Sequence, residues 1–437
     1  MLLPGLGTLL RRRPELEIEL VGAAGRTIPE DDWRAIVRDG LSEGGAPEEV
    51  VARQLEHTRY ASVDVTDPAA LGDLLASLPA GDPVVLYLAL PPAISERATE
   101  ALAQVERPED LRVAIEKPFG ADLASAQRFN ALLAQILPEE RVFRVDHFLG
   151  IATVLNILGL RFGNRVLSRV WNAVDVERIE VVYDEELALE GRAGYYDKAG
   201  ALEDMLQSHL LLVAALLTME EPARIDSVEL RDLLTHALRA IHLWEDDPSV
   251  ASRRARYTAG RIGDREIPAY VDEPGVDPSR GTETLAEVIV EVRNGRWKGV
   301  PIVLRSGKAI AGGRREARID FRPVAHVPEG FGNEPVPDRL VLGMHPETIT
   351  LTMACSGSEA ALDFSTVDLY AQLSSSEMRP YGEILGRLID GDLLLAVRGD
   401  MAEECWRIMS AVLEAWDAGE VPLEDYVAGS SGPQGWA

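Results

Sequence analysis

The stretch Leu111-Arg112-Val113-Ala114-Ile115-Glu116-Lys117-Pro118-Phe119-Gly120 decides the fold class. Four of its first five residues are apolar, and a charged pair followed by proline closes the run. That is too short for a helix and reads as a strand covered on both faces. A second run of the same kind, residues 83–90, is closed by Pro91-Pro92, and a third, residues 16–21, is expected to end at Gly22. Amphipathic patterns at 31–40, 98–105 and 122–137 predict helices in this region. Strands that are apolar throughout and alternate with helices predict a parallel sheet with helices on both faces. Such sheets bind ligands beyond the carboxyl ends of their strands.

The second half has a different texture. Residues 200–220 predict a long apolar helix buried on most sides, and 224–244 a more amphipathic one. From Thr282 onward come Val-, Ile- and Thr-rich runs at 285–292, 302–304, 317–321, 339–341 and 348–353. Short turns such as Asn294-Gly295 point to antiparallel pairing. Helices at 381–389 and 401–418 close the chain. The fold class is α/β plus α+β. A Rossmann-like parallel-sheet domain over 1–145 precedes a β+α domain with a large antiparallel sheet over 146–437.

The chain has 437 residues, 46% of them hydrophobic and 27% charged, enough for sizeable cores. Lys+Arg number 44 against 72 Asp+Glu, a net charge of −28, which disfavours nucleic acid and anionic membrane surfaces as partners. Any anionic ligand has to be held by a local group of cations or backbone N–H. The two cysteines, Cys355 and Cys405, form no disulfide framework and no CxxC metal motif, which suits a reducing compartment. The longest unbroken apolar run, 210–217, is far shorter than the roughly 18 residues that span a bilayer. Arg11 to Arg13 follow an apolar start, the wrong order for a signal peptide. These features predict a soluble, cytoplasmic protein.

Three segments place polar groups where buried elements do not want them. Lys117 follows an apolar strand and can reach into a cleft, with Pro118 fixing the backbone. Asp146 and His147 follow another apolar pair; being adjacent, they do not share a face and serve different partners. Asp204, Gln207, Ser208 and His209 interrupt the apolar helix. In α geometry Asp204 and His209, five residues apart, lie roughly 140° from each other. Both cannot face water in a mostly buried helix, so they are hydrogen-bonded or functional. A charged loop and satisfied core histidines are the bland alternatives. Of the seven histidines only His147 and His209 have such a context. With neither a Ser-His-Asp context nor HExxH, a base beside a nucleotide-type domain suggests hydride transfer and leaves the substrate open.

These segments, EKPFG (116–120), RVDHFLG (144–150) and GYYDKAGALEDMLQSHLLLVAALLTME (194–220), resemble the glucose-6-phosphate dehydrogenase family. Collinear matches run along nearly the whole chain, among them Glu190-Gly191-Arg192, Thr282-Glu283-Thr284 and Arg305-Ser306-Gly307-Lys308. The resemblance implies oxidation of the C1 hydroxyl of glucose 6-phosphate to the 1,5-lactone, the first step of the pentose phosphate pathway, with NADP, or NAD, taking the hydride. It implies His209 as the base and Asp146 as the carboxylate that fixes its tautomer. It implies Lys117 touching both cofactor and sugar, and Asp204 and Glu185 accepting from sugar hydroxyls. His147 meets the phosphate, and Lys308 contacts substrate with Arg314 as a weaker neighbour. Arg26 and Pro91 fall at the cofactor, Arg26 standing next to Gly25, where the family has its 2′-phosphate arginine. It further implies a homodimer or homotetramer, and it implies no metal.

Two departures stand out. The family's first strand and glycine-rich turn, which cradle the pyrophosphate, have no counterpart. Met1 to Leu6 look like the helix after that turn, and 16–21 like the second strand. A start site lying too far downstream and a real truncation are both open. The sequence as written is expected to lack the sheet's central strand and to bind NADP weakly. In the phosphate site, Phe148 and Ile151 stand where the family offers Tyr and Lys. Arg161 or Lys198 compensates, or the enzyme acts on a different or unphosphorylated sugar, or the chain is a catalytically weak regulatory paralogue.

Overall fold

A computed structural model describes residues 1–357, 360–373 and 378–436, and the chain folds as two units. The first comprises Met1–Ala152, Ala223–Arg231 and Ser376–Glu403. Its strands are β1 (Leu20–Ala24), β2 (Thr58–Ser62), β3 (Val84–Leu88), β4 (Leu111–Glu116) and β5 (Val142–Val145). β3, β4 and β5 pair in parallel, and the short strand Ala396–Val397 adds antiparallel to β5. β4 is the centre of this sheet, with Leu111, Val113, Ala114 and Ile115 fully buried. Helix Leu123–Ile136 follows it, started by a capping box in which Asp122 and Ser125 satisfy each other's backbone N–H groups.

β1 and β2 form a parallel pair of their own. Among the described residues neither joins the β3–β4–β5 sheet, so β1 and β3 each pair on one side only. The two sets of strands stand as separate sheets. Val84 to Tyr87 of β3 are consequently only half buried, whereas the middle of β4 is closed off.

β1 lies later than the apolar run at 16–21 suggested, and it runs through Gly22. Leu16 and Ile18 instead pack against the helical cluster of Leu9, Leu10, Val37 and Leu41, so the apolar signal was spent on a helix–loop contact. Gly22 does not end the strand. A Cβ there would fall 2.6 Å from the indole of Trp33, which lies across β1 and donates to Thr58 Oγ1 at 2.9 Å.

The second unit comprises Thr153–Pro222, Asp232–Ser375 and Glu404–Ala437. Its ten-stranded sheet runs in the order Phe364–Gln372, Glu347–Ser356, Arg339–Met344, Arg315–Phe321, β6 (Val176–Asp184), Ile302–Gly307, Leu285–Val292, Ser252–Thr258, Leu423–Val427, with Ile241–Leu243 also on Leu285–Val292. Most pairings are antiparallel, as expected. Two are parallel: β6 with Ile302–Gly307, and Ser252–Thr258 with Leu423–Val427. Both partners are far apart in sequence, and the long intervening chain is what a parallel pairing requires. The predicted helix at 224–244 is shorter, Glu229–Ala240, because Ile241–Leu243 leaves it to pair with the sheet.

The apolar stretch at 200–220 is not one α-helix. Helix Ala193–Ala201 breaks at Gly200 (φ +62°, ψ −176°), a nine-residue π-helix Leu202–Leu210 follows, and an α-helix Leu211–Thr218 completes it. Taken together, Ala193–Thr218 is long and apolar enough to cross a membrane, yet 83% of its apolar window is buried within the unit, as in a core helix. Its last carbonyls are capped from outside. Trp171 Nε1 donates to Leu217 O at 2.7 Å and Trp297 Nε1 to Thr218 O at 2.9 Å. The Arg161 guanidinium donates to Leu216 O and Met219 O.

Candidate active site

In the first unit the candidate residues gather at the carboxyl ends of the strands. Gly25 and Arg26 follow β1, Pro91 comes shortly after β3, Lys117 immediately follows β4, and Asp146 and His147 immediately follow β5. β4 and β5 are in register up to the pair Glu116 and Val145, which sets Lys117 and Asp146 at the same level. Asp146 is fully buried, and its Oδ1 accepts the Phe148 N–H at 3.0 Å, starting the 3₁₀ turn His147–Gly150. His147 is half buried and stacks on Tyr381, with centroids 5.5 Å apart and planes 11° apart. Phe148 meets it edge-on at 5.3 Å. The Lys117-Pro118 peptide bond is cis.

Sequence reasoning missed the group beneath Lys117. Glu116 accepts the Tyr87 hydroxyl at 2.5 Å and is hydrogen-bonded by Tyr381 as well. Burial raises the Glu116 carboxyl, with the two phenols opposing the rise. The same burial and the carboxylate's charge push both tyrosines upward. Tyr87 in an otherwise apolar strand was a usable signal for this. Tyr381, nearly 300 residues on, was not. Arg26 is exposed, with its carbonyl accepting from Tyr60, and nothing lies within 4 Å of where a Cβ on Gly25 would be.

In the second unit, β6 and Ile302–Gly307 run side by side in parallel with Asp184 opposite Gly307, and the next residue of each strand is Glu185 and Lys308. Lys308 Nζ lies 2.6 Å from Glu185 Oε2 and 5.0 Å over the ring of Tyr196. Lys308 is 2% exposed. His209 is 1% exposed and sits on the π-helix with Asp204, Gln207 and Ser208. This helix packs on Ile302–Gly307 and Leu285–Val292. Its wide turn corrects the expected 140° between Asp204 and His209. With about 4.4 residues per turn, positions five apart fall within roughly 50° of one another, so both side chains project from one face. Asp204 also takes a hydrogen bond from Tyr195, whose phenol burial and the Asp204 charge push upward.

The proposed stand-in cations fare unevenly. Arg161 is 4% exposed and occupied with the helix carbonyls, and burial together with the Arg296 charge pulls it below the ordinary guanidinium value. It is not available to bind an anion. Arg314 points its guanidinium toward Glu180, 3.5 Å away. Lys198 is exposed.

Residues 1–156 match the family described as glucose-6-phosphate dehydrogenase, NAD binding domain, and residues 158–437 match glucose-6-phosphate dehydrogenase, C-terminal domain. The chain is 35% identical over 399 residues to a glucose-6-phosphate 1-dehydrogenase of Zymomonas mobilis, covering 87% of this chain and 81% of that one. It is 36% identical over 434 residues to one of Mycolicibacterium smegmatis, covering 95% and 87%. Among solved structures it resembles glucose-6-phosphate 1-dehydrogenase from Mycobacterium avium, with a TM-score of 0.86 and 32% identity over 99% of this chain and 92% of that one. It likewise resembles a glucose-6-phosphate dehydrogenase in complex with glucose 6-phosphate, with a TM-score of 0.87 and 30% identity over the same shares. A strand-end cluster of Lys117, Asp146 and His147, a buried imidazole on a π-helix, and matches that span both units together make this chain a member of the glucose-6-phosphate dehydrogenase family.

Proposed function

We propose that the chain oxidises the C1 hydroxyl of glucose 6-phosphate to 6-phosphoglucono-1,5-lactone, with NADP as the preferred acceptor. One observation carries the reading: His209 is almost wholly withdrawn from water, yet it shares a helix face with the carboxylate of Asp204. A base beside a sugar-hydroxyl acceptor is the pair that oxidation of a sugar hydroxyl needs.

His209 takes the proton from the C1 hydroxyl as the C1–H bond breaks, so that no full positive charge builds on C1. The bound dinucleotide supplies the hydride acceptor. The family resemblance assigns Asp146 the part an aspartate plays behind a catalytic histidine. Asp204 and Glu185 accept from sugar hydroxyls, Lys308 and Lys117 donate to sugar oxygens, and His147 meets the phosphate. Lys117 and Pro91 would flank the nicotinamide end of the cofactor. The open space at Gly25 and the exposed Arg26 suit a 2′-phosphate on the adenosine end, which favours NADP over NAD. The outer strands Glu347–Ser356 and Phe364–Gln372 expose Met353, Val367, Leu369 and Tyr370, which supports self-association through this sheet as a dimer or tetramer. Neither Cys355 nor Cys405 forms a disulfide, which suits a cytoplasmic setting.

Steady-state reduction of NADP and NAD with glucose 6-phosphate tests the reading. His209→Asn is expected to lower kcat by several orders of magnitude with little change in sugar binding. A variant with normal turnover removes His209 from the base role. A second reading, a different or unphosphorylated sugar, is favoured by Phe148 and Ile151 at the phosphate end. Turnover of glucose exceeding that of its phosphate selects it.

A further inference from the structure

The π-helix that carries His209 is held at both ends, and the holding group at its start is Glu283. Glu283 lies in the segment leading into strand Leu285–Val292, and it is 7% exposed. Its Oε1 accepts the N–H of Leu202, the first residue of the π-helix, at 2.9 Å. The carboxylate also receives backbone hydrogen bonds from Ala201 and from its own N–H. Gly200 makes room for it: a Cβ there would fall 2.3 Å from Oε1 and 2.6 Å from Cδ. Residue 200 therefore cannot carry a side chain while the carboxylate occupies the helix start.

The other end runs on into the buried α-helix Leu211–Thr218, whose own end is fixed. Leu211 to Leu217 are buried, and Trp171, Trp297 and Arg161 occupy the final carbonyls. A π-helix turns about 18° less per residue than an α-helix, so nine residues differ in accumulated rotation by more than about 100° between the two forms. π-helices are uncommon because their wide turn is less favourable, and the wider form persists here because both ends are pinned. Release of the start lets the segment wind toward α, and the rotation then separates Asp204 from His209.

We propose that Glu283 is a positioning residue: by capping Leu202 it holds the π register that sets the base His209 on one face with the sugar-binding Asp204. This inference rests on the reading of His209 and Asp204 given above. Glu283 touches neither substrate nor cofactor in this role. It acts through the helix, and what matters is an acceptor of the right length.

The test compares Glu283→Gln, which keeps the acceptor, with Glu283→Ala, which removes it, and with Val412→Ala, a buried truncation on the C-terminal helix that serves as a stability control. Two readouts are taken on the full chain: kcat and KM for glucose 6-phosphate, and the His209 imidazole resonance in histidine-labelled protein, assigned by its loss in His209→Asn. Glu283→Ala is expected to lower kcat at least tenfold, raise sugar KM several-fold, and move the His209 resonance. Glu283→Gln is expected to stay within threefold on both constants with the resonance unmoved, and so is Val412→Ala at a comparable loss of melting temperature. If Glu283→Ala does not fold, Glu283→Asp, one methylene short, is expected to show the same direction more weakly. The proposal is overturned by a folded Glu283→Ala or Glu283→Asp with wild-type constants and resonance. It is equally overturned if Glu283→Gln is as impaired as Glu283→Ala, or if the constants change while the resonance stays. A wild-type chain without turnover on glucose 6-phosphate defeats the proposed function, and the resonance still reads the role of Glu283.

Discussion

Lys308 Nζ and Glu185 Oε2 stand 2.6 Å apart because two parallel strands end one residue before each of them. The ammonium is nearly closed off from water and lies over the Tyr196 ring, so its charge is balanced by the Glu185 carboxylate and a π-face. Lys308→Met leaves that carboxylate partly buried without its counter-charge. We expect the variant to lose about 3 kcal/mol of stability and to bind glucose 6-phosphate at least tenfold more weakly. Adding Glu185→Gln returns much of the stability but not the affinity. Urea unfolding and substrate titration of both variants check this, and unchanged stability in Lys308→Met refutes it.

Glu283 predicts a pH dependence of stability. Burial raises its carboxyl from 4.5 to about 7, opposed by the backbone donors and the charge of Arg254. Tyr196 and Tyr270 also feel its charge. The folded state therefore binds a proton between about pH 4.5 and 7 that the unfolded chain has released. This contribution to stability is present in full below the unfolded value and is lost as pH rises through the folded one. The loss is on the order of 3 kcal/mol. Glu283→Gln, neutral at every pH, is expected to flatten that fall, so that wild type and variant diverge from pH 5 to pH 8 with the variant ahead at pH 8. Urea midpoints across this range decide it, and parallel curves would show that Glu283 does not titrate there.

The legibility of the sequence follows its physics. Leu111–Glu116 and Leu285–Val292 were readable because a buried strand must be apolar throughout, or nearly so, and short. Leu16 and Ile18 misled because burial against a helix leaves the same apolar trace as burial in a sheet. β6 escaped because its charged residues Arg178 and Glu180 pair with each other along the strand, and Glu180, itself buried, also meets Arg318 on the neighbouring strand, which hides its alternation. The candidate cluster was readable wherever polar residues interrupted an apolar run, as at Asp204 and His209. Glu283 and Tyr381 were not, since their value comes from packing against residues some 80 and 265 positions earlier, Leu202 and Glu116. The π register was hidden for a related reason: it is imposed by what holds the two ends, and local propensity carries no trace of it.

Phe148 and Ile151 predict a gain on restoration. Phe148 is buried edge-on to His147, and Ile151 ends the same 3₁₀ turn, so both belong to the surroundings of His147, the residue proposed to meet the phosphate. A lysine in place of Ile151 adds a charge-assisted hydrogen bond worth roughly 1.5–3 kcal/mol to a phosphate. Ile151→Lys is expected to lower KM for glucose 6-phosphate about tenfold or more while leaving KM for glucose unchanged. Phe148→Tyr adds a smaller step in the same direction. Equal effects on the two sugars would place both residues away from the phosphate.

Gly200→Ala separates backbone strain from the contact with Glu283. At φ +62° an alanine is strained wherever it sits, by roughly 1–3 kcal/mol. Gly191, at φ +74° with nothing within 4 Å of a Cβ, bears that strain alone. Gly200→Ala bears it together with a methyl pressed 2.3 Å from the Glu283 carboxylate. Gly200→Ala is therefore expected to cost more than Gly191→Ala, and the Glu283→Ala background shows how much of the excess is the clash. In the double variant Gly200→Ala, Glu283→Ala the clash has no partner, so the two losses add to less than their sum. A coupling of at least about 1 kcal/mol in the double-mutant cycle is the expected result, measured by urea unfolding at pH 7. Because the carboxylate caps Leu202 only while residue 200 lacks a side chain, additive losses would mean that the two residues do not meet at the start of the helix, and the anchoring of His209 from that end would fail with them.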